Sequence, residues 1–255
     1  MSLPKMLAAA DPCDGGFRLS IGPEWLQGRT AYGGLTAALC YEAALRVADD
    51  LPPLRSMQVS FVGPASGPVT ATAVLERQGR NAAFVTARLT GEKGVCTIAT
   101  FVFMRDMDSH LDFSERSAPD YPRPEPIEIP PGMGPTFIQN FEIGPVEQTP
   151  GGVAADIIRW FRLKDRQGLD PMTELVLMGD GLPPAAMAVM TEQGPISSLT
   201  WLFNILAPPE TTDGWWMLRA TSDHAAHGAS SQDMSIWNAD GTLIARGMQS
   251  IAIFV

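Results

Sequence analysis

Residues 55–104 read RSMQVSFVGPASGPVTATAVLERQGRNAAFVTARLTGEKGVCTIATFVFM. Four runs rich in β-branched and aromatic residues are separated by GPASG, RQGR and GEKG, the chemistry of tight turns. In the first run Met57, Val59 and Phe61 alternate with Ser56, Gln58 and Ser60, as on a strand with one buried face. The stretch is therefore predicted to be an antiparallel meander. Ahead of it, FRLSI (17–21) reads as one more strand. The glycine-rich GRTAYGG (28–34) then opens LTAALCYEAALRVAD (35–49), where Leu35, Ala38, Leu39, Ala43 and Arg46 follow helical spacing in a mostly buried helix.

The same order returns further along the chain. FIQNFEI (137–143) and ADIIRWFRL (155–163) read as strands, and DPMTELVLMGDGLPPAAMAVM (170–190) reads as a broken helix. SSLTWLFNI (197–205), GWWMLRATS (214–222), ASSQDMSIWN (229–238) and TLIARGMQSIAIFV (242–255) supply four more strands. Residues echo as well: YGGLTAALC beside GDGLPPAAM, RSMQVSF beside SSLTWLF, and GVCTIATFVFM beside GTLIARGMQSIAIF. A repeat longer than a hundred residues excludes a solenoid and implies an internally duplicated domain.

Between the halves, DMDSHLDFSERSAPDYPRPEPIEIPPGMGP (106–135) holds seven prolines and no sustained apolar period. That is linker chemistry, semi-extended and unable to bury a face, although a segment this long could run across both halves. The expected organisation is an N-terminal unit over 1–105, a Pro-rich linker over 106–135 and a C-terminal unit over 136–255. A long apolar helix followed by an antiparallel sheet must pack on that sheet, so each unit is predicted to be α+β.

Composition narrows the function. The chain has 255 residues, 45% hydrophobic and 18% charged, enough for a core that needs no disulfide or metal. A formal net charge of −10 argues against a nucleic-acid surface and against anionic lipid, so the expected partner is a small molecule. Cys13, Cys40 and Cys96 are scattered and odd in number, which suits a reducing compartment, the cytoplasm by default. The lead-in MSLPKMLAAADPCDGG has too short an apolar run for a signal sequence or membrane span.

The first half, from about Gly28 to Met104, resembles the acyl-CoA thioesterases of the double-hotdog type, the TesB-like family. The resemblance lies in TAYGGLTAA, SMQVSFVGPASGPV, ERQGRNAAF and TIATFVF, and the second half adds a similar strand motif and ADGTLIARGMQS. It implies a double hotdog of two tandem units, each with a long helix packed on an antiparallel sheet, and a role in fatty-acid metabolism. Laid together, the halves put Asp180 opposite Gly33, Ser198 opposite Ser56, Thr200 opposite Gln58 and Gln249 opposite Val102. Only the second half has a carboxylate, a hydroxyl and an amide at these positions.

The resemblance implies that an Asp near the helix break, a Thr or Ser on the next strand and a Gln on the last strand together hold and activate a water. Here those are Asp180, Ser198 and Gln249, with Thr200 as the competing hydroxyl, expected on the same strand face. The acid that often follows the hydroxyl in the family's motif is absent. Asp180 would be the general base, with Gln249 and Ser198 fixing the water. Backbone N–H groups freed in GDGLPP would stabilise the oxyanion. The bland alternative for Asp180 is a helix N-cap.

Other constellations are weak. His224 and His227 lack a Cys/Asp cluster, HGASS is not a G-x-S-x-G elbow, and GRTAYGG is not a dinucleotide fingerprint. Cys40 reads as core, and Trp201, Trp215 and Trp216 suit core or acyl pocket equally. The expectation is thioester hydrolysis without cofactor or metal, with CoA held by local cations such as Arg80 and a homodimer possible. The competing readings are a non-catalytic acyl-CoA-binding hotdog protein and a hotdog hydratase or dehydratase.

Overall fold

The computed structural model describes residues 1–130, 132–147, 153–192 and 194–254. Pro131 of the linker and Val255 of the last strand run lie outside the described residues.

In the first half, β1 (Gly16–Ile21) leads to α1 (Gly33–Ala44), then to β2 (Leu54–Phe61), β3 (Gly67–Gln78), β4 (Ala82–Gly91) and β5 (Gly94–Met104). The second half follows with β6 (Ala155–Leu163), α2 (Pro171–Gly179), β7 (Ile196–Ile205), β8 (Trp215–Ala226), β9 (Ala229–Asn238) and β10 (Leu243–Ile253). The first half pairs its strands in the order β1-β3-β4-β5-β2, and the second continues as β7-β10-β9-β8-β6. Short strands Asp11–Cys13 and Phe141–Ile143 extend the two edges to give twelve strands among the described residues. The second half thus repeats the first in mirror order, and β2 pairs with β7 antiparallel, Trp201 opposite Val59 and Phe203 opposite Met57. This is the expected double hotdog, with one sheet running through both halves.

α1 is apolar almost all round, and Gly34 to Tyr41, Ala43 and Ala44 are buried. One side lies on β3, β4 and β5, and another meets α2, so the helix has no wet face to mark. Two contacts tie the helices: Tyr32 Oη donates to the Leu177 carbonyl at 2.6 Å, and Thr173 Oγ1 donates to Glu42 at 2.5 Å. Asp170 caps α2 by accepting the Met172 and Thr173 N–H groups, each at 3.0 Å, with Pro171 in the first turn.

The second half's helical run breaks at Asp180–Pro184, as GDGLPP implied. Beyond the break only a 3₁₀ turn, Ala185–Val189, packs on β6 and β8, where α1 packs on the first sheet. FIQNFEI is part strand only, because Thr136–Asn140 is a 3₁₀ turn and Phe141–Ile143 is the edge strand. The linker crosses the far face of the second half's sheet. There Ala118 and Tyr121 pack on Trp160, Trp215 and Trp237, and Trp160 Nε1 donates to the Tyr121 carbonyl at 3.1 Å.

Candidate active site

α2 ends at Gly179, and Asp180 is its C-cap, with φ −99°. The tight turn is packed from the other side by Trp201. A Cβ on Gly179 would lie 2.7 Å from the Trp201 ring, so only glycine lets β7 approach this closely. Asp180 is thereby aimed across the boundary between the halves at the N-terminus of α1. A Cβ on Gly33 would lie 2.5 Å from Asp180 Oδ2, and the Gly34 N–H donates to the same carboxylate.

Gln249 Nε2 donates to Asp180 Oδ1 at 2.6 Å. Behind it stands Gln232, whose Nε2 donates to Gln249 Oε1 at 2.8 Å, while its own Oε1 accepts the Ala185 N–H at 2.9 Å. This chain has a forced direction. A backbone N–H can only donate and an ionised carboxylate can only accept, so both amides must point their NH₂ groups towards Asp180. Both glutamines are buried, on neighbouring strands with Gln232 opposite Gln249. Ser198 Oγ adds a longer bond to Gln249 Oε1 at 3.4 Å.

Burial raises the Asp180 carboxyl to about 6, against the bonds from Gln249 and Gly34 that favour its charged form. The residue keeps some contact with solvent through a cavity of about 1000 Å³ that spans both halves. Asp180, Ser198 and Gln249 line that cavity from the second half, and Gly33, Thr36 and Phe61 from the first.

Thr200 is not part of this group. The β7–β10 ladder slips between Ser198 and Thr200, so Leu199 is an extra residue, Trp201 takes the inward position, and Thr200 is exposed. The expected shared face for Ser198 and Thr200 is thus corrected by a bulge. Of the oxyanion donors expected in GDGLPP, the Gly181 N–H is bonded to the Met178 carbonyl at 2.9 Å and the prolines have none, which leaves Leu182 on the cavity wall; the Gly33 N–H at the start of α1 also has no hydrogen-bond partner among the described residues.

The cations lining the cavity are Arg29, Lys93 and Arg159, and Arg80 is not among them. Trp201, Trp215 and Trp216 are all buried in packing, and among the described residues no histidine or tryptophan lines the cavity. Among the described residues no three His, Cys, Asp or Glu side chains gather as metal ligands, and no helix is long and apolar enough to cross a membrane.

A continuous double-hotdog sheet, with one carboxylate set against a helix N-terminus over a large cavity, places the chain among the hotdog-fold proteins. Comparison with family profiles is more specific: the acyl-CoA thioesterase N-terminal domain matches residues 21–104 and the acyl-CoA thioesterase C-terminal domain matches residues 115–253. The chain belongs to the acyl-CoA thioesterase family. No curated protein sequence matches it.

Solved structures share the fold. A hot dog fold protein from Alicyclobacillus acidocaldarius superposes with TM-score 0.87 at 24% identity, covering 100% of this chain and 99% of its own. The acyl-CoA thioesterase II TesB2 from Mycobacterium marinum gives TM-score 0.75 at 18% identity, covering 97% of this chain and 95% of its own. The dehydratase domain of RzxB from Pseudomonas fluorescens gives TM-score 0.54 at 12% identity, covering 95% and 96%. The fold alone therefore spans more than one chemistry, and the site must carry the functional argument.

Proposed function

We propose that this protein hydrolyses an acyl-CoA thioester to the free acid and CoA, with Asp180 activating the attacking water. The observation that carries this reading is the Asp180–Gln249 pair, 2.6 Å apart at the wall of the cavity and facing the α1 N-terminus. One N–H of Gln249 serves Asp180 and orients the carboxylate, which leaves the second N–H of the same amide for the water. The water oxygen attacks the thioester carbon, its proton passes to Asp180, and the carbonyl oxygen becomes negative. Gly33 N–H, at the positive end of α1, and Leu182 N–H, beside Asp180 on the cavity wall, are the donors that can meet that charge. Collapse breaks the C–S bond, and the Asp180 proton neutralises the leaving thiolate.

A carboxyl raised to about 6 suits both halves of this cycle, because it is ionised near neutral pH yet a stronger base than an exposed aspartate. The hydratase reading needs an Asp/His pair, and the histidine-free cavity lining disfavours it. The binding-protein reading keeps the cavity but leaves the Gln232–Gln249–Asp180 relay without a task. Release of CoA, trapped by a thiol reagent over short, long and aromatic acyl-CoAs in the presence of EDTA, tests the proposal. Inactivity across the whole panel would transfer the site to the binding reading.

A further inference from the structure

Arg159 stands on β6 and lines the cavity, half-buried. Its Nε is shielded from solvent and has no hydrogen-bond partner. The neighbouring arginines are each satisfied: Arg162 pairs with Glu142, Arg166 with Glu174 at 3.4 Å, and Arg219 with the fully buried Asp156 at 2.8 Å. Arg159 pairs with no carboxylate among the described residues. Its near neighbours are the Phe161 ring, 5.9 Å from the guanidinium carbon, and Tyr121, whose phenol burial raises and so keeps neutral near pH 7. Burial disfavours the charge on Arg159, so the fold keeps this cation at a cost that no carboxylate among the described residues offsets.

The place of Arg159 relative to the reacting atoms follows from the sheet. Its partner across the ladder is Leu218, and Phe161 is two residues along the same face. A Cβ on Gly181, the residue after Asp180, would lie 3.3 Å from Leu218 and 3.2 Å from Phe161. Arg159 is thus one cross-strand or one i to i+2 step, roughly 5–7 Å, from side chains that touch the catalytic turn. It is too far to pair with Asp180, whose shift comes from burial, Gln249 and Gly34. The other two cavity cations, Arg29 and Lys93, are exposed at the rim, where hydrated phosphates of CoA can be met without desolvation.

We infer that the acyl group taken by this site ends in a carboxylate, a few methylenes from the thioester, which pairs with Arg159 inside the cavity. The inference rests on the thioesterase reading above and names its substrate class, ω-carboxyacyl-CoA. A half-buried guanidinium offers paired, planar donors to a carboxylate, and a neutral acyl chain would leave them empty.

The test compares glutaryl-, adipyl- and suberyl-CoA with pentanoyl-, hexanoyl- and octanoyl-CoA, and repeats each pair on pantetheine, which lacks the phosphates. Wild type should favour the carboxylated member by at least tenfold in kcat/KM at one length or more. Arg159→Met should cut that preference by tenfold or more on both carriers, Arg159→Lys should restore part of it, and neither should lower the melting temperature. A wild-type preference at or below unity overturns the inference while leaving thioester hydrolysis standing. So does an Arg159→Met effect that disappears on pantetheine, which would assign the cation to a CoA phosphate. If no thioester is cleaved at all, the hydrolase reading fails, and binding decides the rest. Adipate but not hexanoate should then raise the melting temperature of wild type and not of Arg159→Met; equal effects of the two acids would overturn it.

Discussion

The Asp180 carboxylate occupies the space in which a Gly33 side chain would stand, its Oδ2 only 2.5 Å from the position of a Gly33 Cβ. Laying the two halves of the sequence together sets these residues opposite each other; in the fold Gly33 opens α1 and Asp180 closes α2, and they meet across the boundary between the halves. Gly33→Ala should therefore displace the carboxylate or the Phe61 ring, 3.0 Å from the same point, and lower kcat by about 10²-fold through misplacement alone. Full kcat in a well-folded Gly33→Ala protein would remove the first half from the site.

Asp180→Asn should lower kcat by about 10²–10⁴ with little change in KM. In wild type, kcat/KM should rise with pH through an apparent pKa near 6, and the variant should lose that limb. Stability gives an independent reading. The carboxyl titrates at 3.8 when unperturbed and at about 6 in the fold, so between these values the folded chain binds more protons than the unfolded one. Wild type therefore loses stability as pH rises through this window, by up to about 3 kcal/mol and less for the solvent that reaches the group. Melting curves of wild type and Asp180→Asn should converge or cross between pH 4 and 7, on the order of that window; a constant difference would mean that Asp180 is not perturbed.

Gln232→Glu is nearly isosteric and can still accept the Ala185 N–H, yet its carboxylate cannot donate to Gln249. Gln249 must then turn its carbonyl towards Asp180 or lose its support. The acid limb of kcat/KM should move upward from about 6, because Asp180 loses a donor to its charged form. Gln232→Leu should lower kcat by about tenfold and stability by roughly 1–3 kcal/mol, since the Ala185 N–H is left unpaired. An unmoved pH profile in Gln232→Glu would reduce Gln232 to a packing residue.

The two candidate hydroxyls separate cleanly. Ser198→Ala should slow turnover several-fold, whereas Thr200→Ala, exposed on the other side of the bulge, should leave kcat and KM at wild-type values. The reverse pattern, measured alongside melting curves, would mean that β7 sits in a different register when substrate is bound.

Cleavage within 106–117, an exposed stretch, should not part the halves, because β2 and β7 are paired and α1 packs on α2. The cut protein should elute with both fragments together; two independent folded monomers would contradict the continuous sheet.

Much of this was legible in the sequence, and the misses have physical causes. Two meanders, a buried helix and a helix broken at GDGLPP follow from alternation, helical spacing and Pro/Gly chemistry, all of them local signals. Asp180 and Gln249 stood out because laying the halves together set Gly33 and Val102 against them, although in the fold Gln249 is buried opposite Trp201 whereas Val102 pairs with Ser56 between the buried Phe101 and Phe103. Thr200 misled because period-2 counting cannot see an inserted residue, and Leu199 reverses the faces after it. Gln232 was hidden in the same way. An unbroken ladder from the Trp237–Leu243 pair would set Ser231 opposite Gln249, and the slip at Ile236 puts Gln232 there instead. Arg159 reads as an ordinary strand-face cation until the absence of a partner is seen in three dimensions.

The mirrored strand order of the two halves has a consequence for stoichiometry. Two identical units joined at β2 and β7 would present two equivalent reaction centres. Here one cavity holds one Asp180–Gln249 pair, and Asp180 abuts Gly33 at the junction, where a second carboxylate would have neither room nor tolerance. Titration with a non-hydrolysable acyl-CoA thioether should therefore reach its equivalence point at one molecule per 255-residue chain, with no cooperativity arising within the chain.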